Sequence, residues 1–258
     1  MLEKLPTISL IFVNYNSSAY LAKAIESIAL YEDSADYEVI IVNNDVQEKQ
    51  GIALLQEKYN TKLIETGDNI GFAGGVNRGV SIATGSVIGL LNPDTLWTQK
   101  QLEKIQSRLD QEDCLIGISL FDGEGKREKY GFGKKIHFWR LIENHLFGTP
   151  TLIKDKNQVA WVSGGALFFR KTTFEALAGF DERYFLYYED VDFCERARRK
   201  GCVAYVYEDL RITHFRGKSQ KSPKEQKKEY YRSQQYYFQK MRPRYEQLLL
   251  KGFHFFLN

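Results

Sequence analysis

The chain has 258 residues, of which 43% are hydrophobic and 14% aromatic, enough for one large domain or two small ones with a sizeable core. Its formal net charge of +3 is nearly balanced, which argues against a protein whose main role is to coat nucleic acid. Its three cysteines form no Cys-x-x-Cys pair for zinc and no disulfide framework. Since there is no signal-peptide pattern and no apolar run near the roughly 20 residues that span a bilayer, we expect a cytoplasmic protein, soluble or peripheral at the inner face of the membrane.

The first hundred residues alternate between strand and helix patterns. Continuous apolar runs, rich in β-branched residues, predict strands buried on both faces, and apolar residues at helical spacing predict helices between them. The predicted strands are 8–13, 39–42, 62–65 and 87–91, and the predicted helices are 20–30, 52–59 and 75–83. This alternation predicts an α/β fold with a Rossmann-like, mostly parallel central sheet flanked by helices.

Polar segments follow three of these strands, at 14–16, 43–45 and 92–94. In parallel sheets, ligands bind beyond the carboxyl ends of the strands, so these segments predict a binding crevice along one edge. Asp94 is suited to hold Mg²⁺ or Mn²⁺, or it lies in an ordinary Pro-containing turn. Asp45 is suited to bind a ribose or nucleobase, or it caps the next helix.

A glycine-rich segment, 67–75, leads into the third predicted helix. Gly71, Phe72, Asn77 and Arg78 are candidates to lie against a diphosphate, with Arg78 giving charge-assisted hydrogen bonds. The segment matches neither G-x-G-x-x-G nor a Walker A loop, which disfavours an NAD enzyme and a P-loop NTPase. Its glycines also fit tight packing of a helix on a strand, and both interpretations can hold together.

The second half is less regular. Residues 121–158 predict a hairpin-like excursion and a loop over the crevice. The remaining predicted elements are a strand region at 159–170 broken by Gly164 and Gly165, helices at 172–178 and 189–200, a strand at 203–207, and a Tyr-rich helical segment at 223–250 interrupted by Pro243.

We therefore divide the chain into a domain at 1–220 and a basic, Tyr-rich helical extension at 221–258. The domain has a donor-binding half at about 1–97 and an acceptor half at about 98–220. The basic, aromatic segment 216–251 fits either contact with an anionic membrane surface or a solvated helix whose tyrosines pack on the domain.

Residues 180–192 place five acids among five aromatic residues, a composition typical of an apolar cleft with carboxylates directed inward. Asp190 is the candidate general base and Glu189 a candidate to orient an acceptor. Glu189, Asp190 and Asp192 lie at a predicted helix start, where the helix dipole stabilises acids by about 0.3–1 kcal/mol each, a structural alternative for one or two of them. We assign Asp181 and Asp192 to structural roles. The candidate acceptor-binding residues are Trp161, Gly164, Gly165, Tyr187 and Tyr188, of which the first three also fit an interior strand with a close backbone contact.

His214 follows the last predicted strand. With Asp94 across the crevice it could complete a metal site, and the alternative is a structural histidine.

Taken in order, these motifs resemble the family-2 inverting glycosyltransferases, in the rhamnosyltransferase-like branch, over about residues 7–217. The resemblance is carried by VNYN (13–16), IIVNND (40–45), DNIGFAGGVNRG (68–79), LLNPDT (90–95), VSGGALFFRK (162–171), the segment 179–201 and His214. It implies a GT-A fold, a nucleotide-diphosphate sugar donor and a divalent cation, Mg²⁺ or Mn²⁺.

By position in that family, the resemblance places the nucleoside on Asn14, Tyr15, Asn16 and Asp45. Asp94 stands at the end of the family's Asp-x-Asp metal motif, whose first acid is replaced here by Asn92. Asp190 matches the catalytic base. His214 matches a position that helps to bind metal or diphosphate.

The expected function is that of an inverting hexosyltransferase in bacterial cell-surface polysaccharide synthesis. The donor would be a dTDP- or UDP-sugar, with rhamnose implied by the branch, and the acceptor a glycan or lipid-linked glycan. One alternative is a sugar nucleotidyltransferase, which usually has a basic, glycine-rich loop after its first strand that 14–18 does not supply. A second is a non-catalytic subunit that binds nucleotide-sugar, which Asn92 favours and the Glu189–Asp190 pair opposes.

Overall fold

The structure, a computed structural model, describes residues 7–32, 36–128, 131–147, 157–215 and 222–257. The strands are β1 (Ile8–Asn14), β2 (Tyr37–Asn43), β3 (Lys62–Glu65), β4 (Val87–Leu91), β5 (Thr95–Trp97), β6 (Cys114–Phe121), β7 (Phe132–Gly133), β8 (Gln158–Val159), β9 (Trp161–Val162), β10 (Ala166–Arg170) and β11 (Val203–His214). The α-helices are α1 (Ser18–Tyr31), α2 (Lys49–Tyr59), α3 (Gly71–Ile82), α4 (Leu102–Gln111), α5 (Phe138–Phe147), α6 (Lys171–Ala176), α7 (Glu189–Arg199), α8 (Pro223–Met241) and α9 (Arg244–Leu257).

Nine strands form one sheet, in the order β3-β2-β1-β4-β10-β6-β11-β5, with β8 also paired to β11. The pairs β3–β2, β2–β1, β1–β4 and β6–β11 are parallel. Strand β10 is antiparallel to both of its neighbours, so β6 and β11 run in the same direction as β1 to β4. The predicted mostly parallel sheet flanked by helices is therefore confirmed, and β10 is inserted within it in the reverse direction.

Both faces of the sheet are covered, which explains the continuous apolar runs. In β1, Leu10 and Phe12 pack in one buried cluster with α1, α2 and α4. Ile11 and Val13 pack in the opposite cluster with α3, α6 and α7. Since side chains alternate across a strand, a strand buried on both faces is apolar at most positions, and the one inner polar residue of β1, Ser9, donates a hydrogen bond to Glu38.

Helix α3 begins at Gly71, four residues before the predicted start at 75. Its glycines allow it to lie directly on the sheet: a Cβ at Gly75 would meet Val13 at 2.7 Å, and one at Gly79 would meet Ile11 at 2.6 Å. The predicted tight packing of helix on strand is therefore present.

Residues 95–121 form β5, α4 and β6, for which the sequence analysis proposed no elements. The segment 121–158 is more than a loop: Phe121 and Arg127 bridge as a short hairpin, and α5 follows. Strand β11 runs seven residues past the predicted end at 207, through an irregularity between Tyr207 and Arg211, and reaches His214.

The C-terminal helices form a third buried cluster with α5 and the segment before α7. Ser222 is the N-cap of helix α8, and its hydroxyl and the Glu225 side chain make a capping box. The helix ends at Met241, before Pro243. Tyr237 and Phe238 of α8 are buried against Tyr184 and Tyr188. The tyrosines of α8 therefore pack on the domain, as one of the two interpretations of this segment predicted.

Among the helices of the described ranges, none combines the length and the apolar character needed to cross a bilayer. Cys114, Cys194 and Cys202 are free and buried. Residues 216–221, which carry part of the predicted basic segment, lie outside the described residues.

Candidate active site

The topology brings the predicted polar segments to one edge of the sheet. Strands β1, β2, β4 and β11 all end there, and the antiparallel β10 starts there. Backbone hydrogen bonds join the segments: Asn44 N donates to Asn14 O at 2.8 Å, and Asn92 N donates to Gly165 O at 3.0 Å. The crevice and the glycine pair 164–165 therefore lie at the same edge of the sheet.

Asn14 stabilises the crevice from within. Its side chain is fully buried, and its Nδ2 donates to Asn43 Oδ1 and to Glu48 Oε2, both at 2.9 Å. Glu48 also accepts from the backbone N–H groups of Ser17 and Ser18 at the start of α1. Burial raises the pKa of Glu48, but these donors outweigh it and lower the pKa. The sequence analysis missed Glu48, which belongs to no motif.

Tyr15, Asn16 and Asp45 lie at the outer side of this edge. Tyr15 is exposed, Asn16 has left-handed backbone (φ 51°), and Asp45 is half-buried. Asp45 Oδ1 accepts from Gln47 N at 2.9 Å and so caps the short 3₁₀ helix Val46–Glu48, the structural role that had been the alternative to ligand binding. Its position at the end of β2 is also the one that ribose binding requires.

Gly71 and Phe72 join the crevice to the segment before α7. Phe72 N donates to Phe185 O at 2.8 Å, and Gly71 has φ +80° with no room for a Cβ beside that same carbonyl oxygen. Phe72 also reaches the cavity described below.

The structure does not bring Asn77 or Arg78 to that cavity. Asn77 Nδ2 donates to Phe180 O, and its Oδ1 accepts from Phe180 N, both at 2.9 Å. Arg78 is exposed, about 10 Å along the helix axis from Gly71.

Asp94 and His214 are brought together as predicted. His214 Nε2 lies 3.1 Å from Asp94 Oδ1, and His214 Nδ1 lies 3.1 Å from Glu128 Oε1. Asn92 Nδ2 is 3.4 Å from the same Nε2. Burial would lower the pKa of His214, but hydrogen bonds to the two carboxylates raise it to about 9. The sequence analysis missed Glu128, which the short hairpin after β6 carries back to the edge.

The chemistry of these side chains fits a divalent cation. Asp94 offers a hard carboxylate oxygen and His214 an imidazole nitrogen, while Glu128 on the other ring nitrogen is the outer partner typical of metal-bound histidines. Within the described ranges, no three His, Cys, Asp or Glu side chains are arranged to enclose an ion. Mg²⁺ is commonly held by one or two carboxylates together with substrate phosphates, so two protein ligands suffice for a site that the substrate completes.

A cavity of about 630 Å³ opens beside this edge, between α5, the start of α7, and α8. It contains every predicted acceptor-binding and catalytic residue. These are Trp161, Gly164, Gly165, Tyr187, Tyr188, Glu189 and Asp190, and Asn92 also reaches it. Apart from the two acids, aromatic and apolar side chains predominate on its walls, as is usual for ligand cavities.

Asp190 is held in place by backbone N–H groups. Its Oδ2 accepts from Gly164 N at 2.9 Å, and its Oδ1 accepts from Val191 N at 2.7 Å. Tyr187 and Tyr188, just before α7, both have left-handed backbone (φ 69° and 68°). Non-glycine residues rarely adopt this conformation, and such strain tends to occur at functional sites.

Glu189 and Asp190 are neighbours whose pKa values are affected differently by their surroundings. Burial raises the pKa of Glu189 well above its usual value, and the Asp190 charge raises it further. Burial also raises the pKa of Asp190, but the backbone donors oppose this rise. We therefore assign the higher pKa of the two to Glu189, so that Asp190 is the carboxyl that ionises first.

Asp181 and Asp192 hold the C-terminal helices. Lys240 Nζ lies 2.7 Å from an oxygen of each, and Asp192 also pairs with Arg196 at 2.7 Å. These contacts are the structural role that the sequence analysis assigned to both acids.

A family model for glycosyl transferase family 2 matches residues 9–178. N-acetylglucosaminyl-diphospho-decaprenol L-rhamnosyltransferase of Mycobacterium tuberculosis is 25% identical over 248 residues, which cover 85% of this chain and 78% of that protein. Minor teichoic acid biosynthesis protein GgaB of Bacillus subtilis is 28% identical over 142 residues, which cover 52% of this chain and 16% of that protein.

Solved structures agree on the fold. S. aureus TarS superposes with a TM-score of 0.60 at 16% identity, covering 89% of this chain and 38% of that one. The mannosyltransferase PcManGT from Pyrobaculum calidifontis, solved with GDP-Man and Mn²⁺, superposes with a TM-score of 0.58 at 16% identity, covering 82% of this chain and 57% of that one.

The family match supports a hexosyltransferase, and GT-A enzymes generally use a nucleotide-sugar donor and a divalent cation. The chain belongs to glycosyl transferase family 2 and has the GT-A fold.

Proposed function

We propose that this chain is an inverting glycosyltransferase that moves rhamnose from a dTDP- or UDP-linked donor to a hydroxyl of a lipid-linked glycan. The observation that carries this proposal is the Asp190 carboxylate, fixed by Gly164 N at 2.9 Å and facing a cavity beside the Asp94–His214 pair. Direct displacement at an anomeric carbon requires a base and a diphosphate-binding site beside the same cavity. We assign these two roles to Asp190 and to the sheet edge that carries Asp94 and His214.

In this mechanism Asp190 removes the proton of the acceptor hydroxyl as that oxygen attacks the anomeric carbon. The bond from that carbon to the diphosphate oxygen breaks on the opposite face, so the configuration inverts. The leaving diphosphate gathers negative charge at the edge that carries Asp94 and His214. A divalent cation bound there would supply Lewis-acid stabilisation of that charge. Asn14 and Asn43 keep the strand ends in place, and Tyr15, Asn16 and Asp45 would hold the nucleoside.

The acceptor assignment is supported by the walls of the cavity. Trp161 and Tyr187 offer ring faces against which a sugar can stack, and the M. tuberculosis relative is named for a lipid-diphosphate acceptor. Neutral Glu189 would donate a hydrogen bond to a second acceptor hydroxyl while Asp190 acts on the first.

We also assign a peripheral membrane contact to α9, on the cytoplasmic face. Tyr245, Leu248 and Leu249 are exposed on one side of this helix, and Arg244 and Lys251 flank them. Exposed apolar residues beside cations are typical of helices that lie on anionic lipid. Since α9 packs on α5, which lines the cavity, this contact would hold the cavity near a lipid-linked acceptor. Co-sedimentation with anionic vesicles tests it, and unchanged binding after Leu248→Ser with Leu249→Ser would count against it.

Thermal unfolding with a panel of dTDP-, UDP- and GDP-sugars tests the donor. A ligand at about 100 times its Kd adds roughly 2.7 kcal/mol to the folded state. We expect dTDP-rhamnose or its UDP counterpart to stabilise the protein most, and only with Mg²⁺ or Mn²⁺ present. The anomeric configuration of the product, measured by NMR, tests inversion, and a retained configuration would exclude the mechanism.

A further inference from the structure

Two consecutive tyrosines just before α7, Tyr187 and Tyr188, both have left-handed backbone, with φ of 69° and 68°. This conformation is unfavourable for residues that carry a Cβ, so it persists only where the surrounding structure imposes it. Tyr188 is also the N-cap of α7, because Asp192 N donates to Tyr188 O at 2.9 Å and so begins the helical hydrogen bonds. Since Asp190 lies in the first turn of α7, the turn at the two tyrosines determines where its carboxylate points.

Helix α8 holds this turn through two side-chain hydrogen bonds. Ser233 Oγ donates to Leu186 O at 2.7 Å, and Gln234 Nε2 donates to Tyr188 OH at 2.7 Å. Ser233 and Gln234 are 3% and 4% exposed, so both bonds are shielded from water. Because the two donors are neighbours on α8, one helix fixes both ends of the segment from Leu186 to Tyr188.

Further contacts enclose the same segment from two sides. On the side of α8, the Tyr230 ring centroid lies 5.9 Å from that of Tyr187 and 5.4 Å from that of Tyr188. On the side of α3, Phe72 N donates to Phe185 O at 2.8 Å. The segment is therefore held between α3 and α8, and these contacts impose the left-handed backbone of its two tyrosines.

The position of this turn matters because the two donors to the Asp190 carboxylate lie on different elements. Val191 N belongs to α7 and moves with it, whereas Gly164 N belongs to the segment before β10. The 2.9 Å bond from Gly164 N therefore requires the start of α7 to lie at one position relative to the sheet. A misplacement of about 1 Å weakens such a bond and can lower a reaction rate by about 100-fold.

We propose that Ser233 and Gln234 are positioning residues for the reaction. By holding the turn before α7, they keep the Asp190 carboxylate on Gly164 N and directed into the cavity. Gln234 also reaches the cavity wall, whereas Ser233 acts from behind it. This inference rests on the proposed function, because it takes Asp190 as the base. It gives α8 a part in catalysis, although this helix lies beyond the residues that the family model matches.

Ser233→Ala and Gln234→Leu each remove one of the two hydrogen bonds from α8. We expect both to lower kcat by about 10-fold to 100-fold, the scale for a small misplacement of a catalytic group, while the KM for the donor stays within about twofold of wild type. Gln239→Leu, at an exposed position of the same helix, is the control and should leave kcat unchanged.

The NMR signal of the Gly164 amide gives a readout that does not depend on transfer. In wild type this N–H donates to a carboxylate, and in Asp190→Asn it faces an uncharged acceptor, so the two proteins define the ends of a scale. We expect the signal to move toward the Asp190→Asn position in Ser233→Ala and in Gln234→Leu, and to stay in place in Gln239→Leu. Urea unfolding checks that each variant is folded under these conditions, and either α8 variant alone is sufficient for the measurement.

The inference requires the fall in kcat and the movement of the Gly164 signal to occur together. A fall in kcat with an unmoved signal would overturn it, because α8 would then act on the acceptor and not on Asp190. A moved signal with unchanged kcat, or no change in either, would also overturn it. If the wild-type protein transfers no sugar, the proposed function fails, and the Gly164 signal of the variants then decides alone whether α8 positions the carboxylate.

Discussion

The backbone N–H of Gly164 donates a hydrogen bond to Asp190 Oδ2 at 2.9 Å, and this contact ties the start of α7 to the sheet. Gly164 precedes β10, the strand inserted in the reverse direction, so Asp190 is positioned relative to the same edge that carries Asn92 and Asp94. A Cβ at position 164 would meet the Phe72 ring at 2.8 Å, so the donor, Gly164 N, can lie this close only because the residue is glycine.

Asp190→Asn and Glu189→Gln form a matched pair of amide substitutions. We expect Asp190→Asn to reduce the transfer rate by at least about 100-fold with donor binding retained, because the amide cannot take a proton. Glu189→Gln should stay within about 10-fold of wild type, because a protonated carboxyl and an amide both donate. Initial rates and donor titrations measure both effects, and near-normal turnover by Asp190→Asn would refute its assignment as the base.

The pH dependence of kcat separates the two acids further. Asp190 acts as a base only when ionised, and burial raises its pKa, so the rate should fall as pH falls through that raised value. Glu189 donates only while protonated, so the rate should also fall as pH rises through its own, higher pKa. Glu189→Gln should remove the alkaline fall and leave the acid fall in place. An alkaline fall that persists in this variant would show that another group causes it.

Asp94→Asn tests whether the sheet edge with Asp94 and His214 binds the diphosphate through a divalent cation. The amide keeps the size of the side chain but is a weaker ligand for a hard cation, so we expect Mg²⁺ or Mn²⁺ to strengthen nucleotide-diphosphate binding in wild type and not in the variant. Glu128→Gln should weaken metal affinity by about 10-fold, as changes at outer partners of metal ligands do. Calorimetry with and without metal measures both. Asp209→Asn, an acid paired with Arg108 at 2.9 Å, is the control and should bind as wild type does. Equal affinities with and without metal in wild type would exclude the assigned role.

The sequence predicted the polar ends of the strands well because their signal is local. A strand buried on both faces is largely apolar, so its end is visible where polar residues begin to follow one another, as from Asn14 and from Asn92. Asp94 and His214 could be paired in advance because both follow strands of one sheet.

What the sequence did not predict depends on contacts between distant segments. Glu48 and Glu128 are ordinary acids in the sequence and become site residues only through hydrogen bonds to Asn14 and His214, 34 and 86 positions away. Helix α5 was taken for part of a loop, although Phe138, Leu141 and Ile142 have helical spacing and pack in the cluster with the C-terminal helices.

Gly71→Ala tests the contact between the start of α3 and Phe185, in the segment before α7. We expect it to lower the free energy of unfolding by about 2 kcal/mol or more, since a Cβ costs about 1–2 kcal/mol in left-handed backbone and would here also overlap Phe185 O. Gly67→Ala is the matched control: Gly67 has the same φ of +80°, and a Cβ added there would have nothing within 4 Å, so only the backbone cost applies. Urea unfolding measures both, and equal losses would mean that the contact with Phe185 contributes nothing.

Lys240→Met tests how the C-terminal helices are held. Lys240 lies between Asp181 and Asp192, and the pKa of Asp181 is held well below its usual range because Arg183 and Lys240 outweigh the effect of its burial. Removing the ammonium leaves the buried Asp192 with the Arg196 ion pair and the Tyr184 hydroxyl, so we expect a loss of about 3 kcal/mol in the free energy of unfolding, at the lower end for a broken buried pair.

Lys227→Met, on the exposed side of the same helix, removes an equal charge whose contact is the Tyr231 ring at 5.5 Å, and should cost less than about 1 kcal/mol. Since Tyr237 and Phe238 of α8 pack behind Tyr188, the Lys240 variant should also lose acceptor affinity while donor affinity stays as in wild type. Urea unfolding and separate titrations of the two substrates measure these effects. If both lysine variants lose the same stability, the Asp181–Lys240–Asp192 contacts do not hold α8 in place.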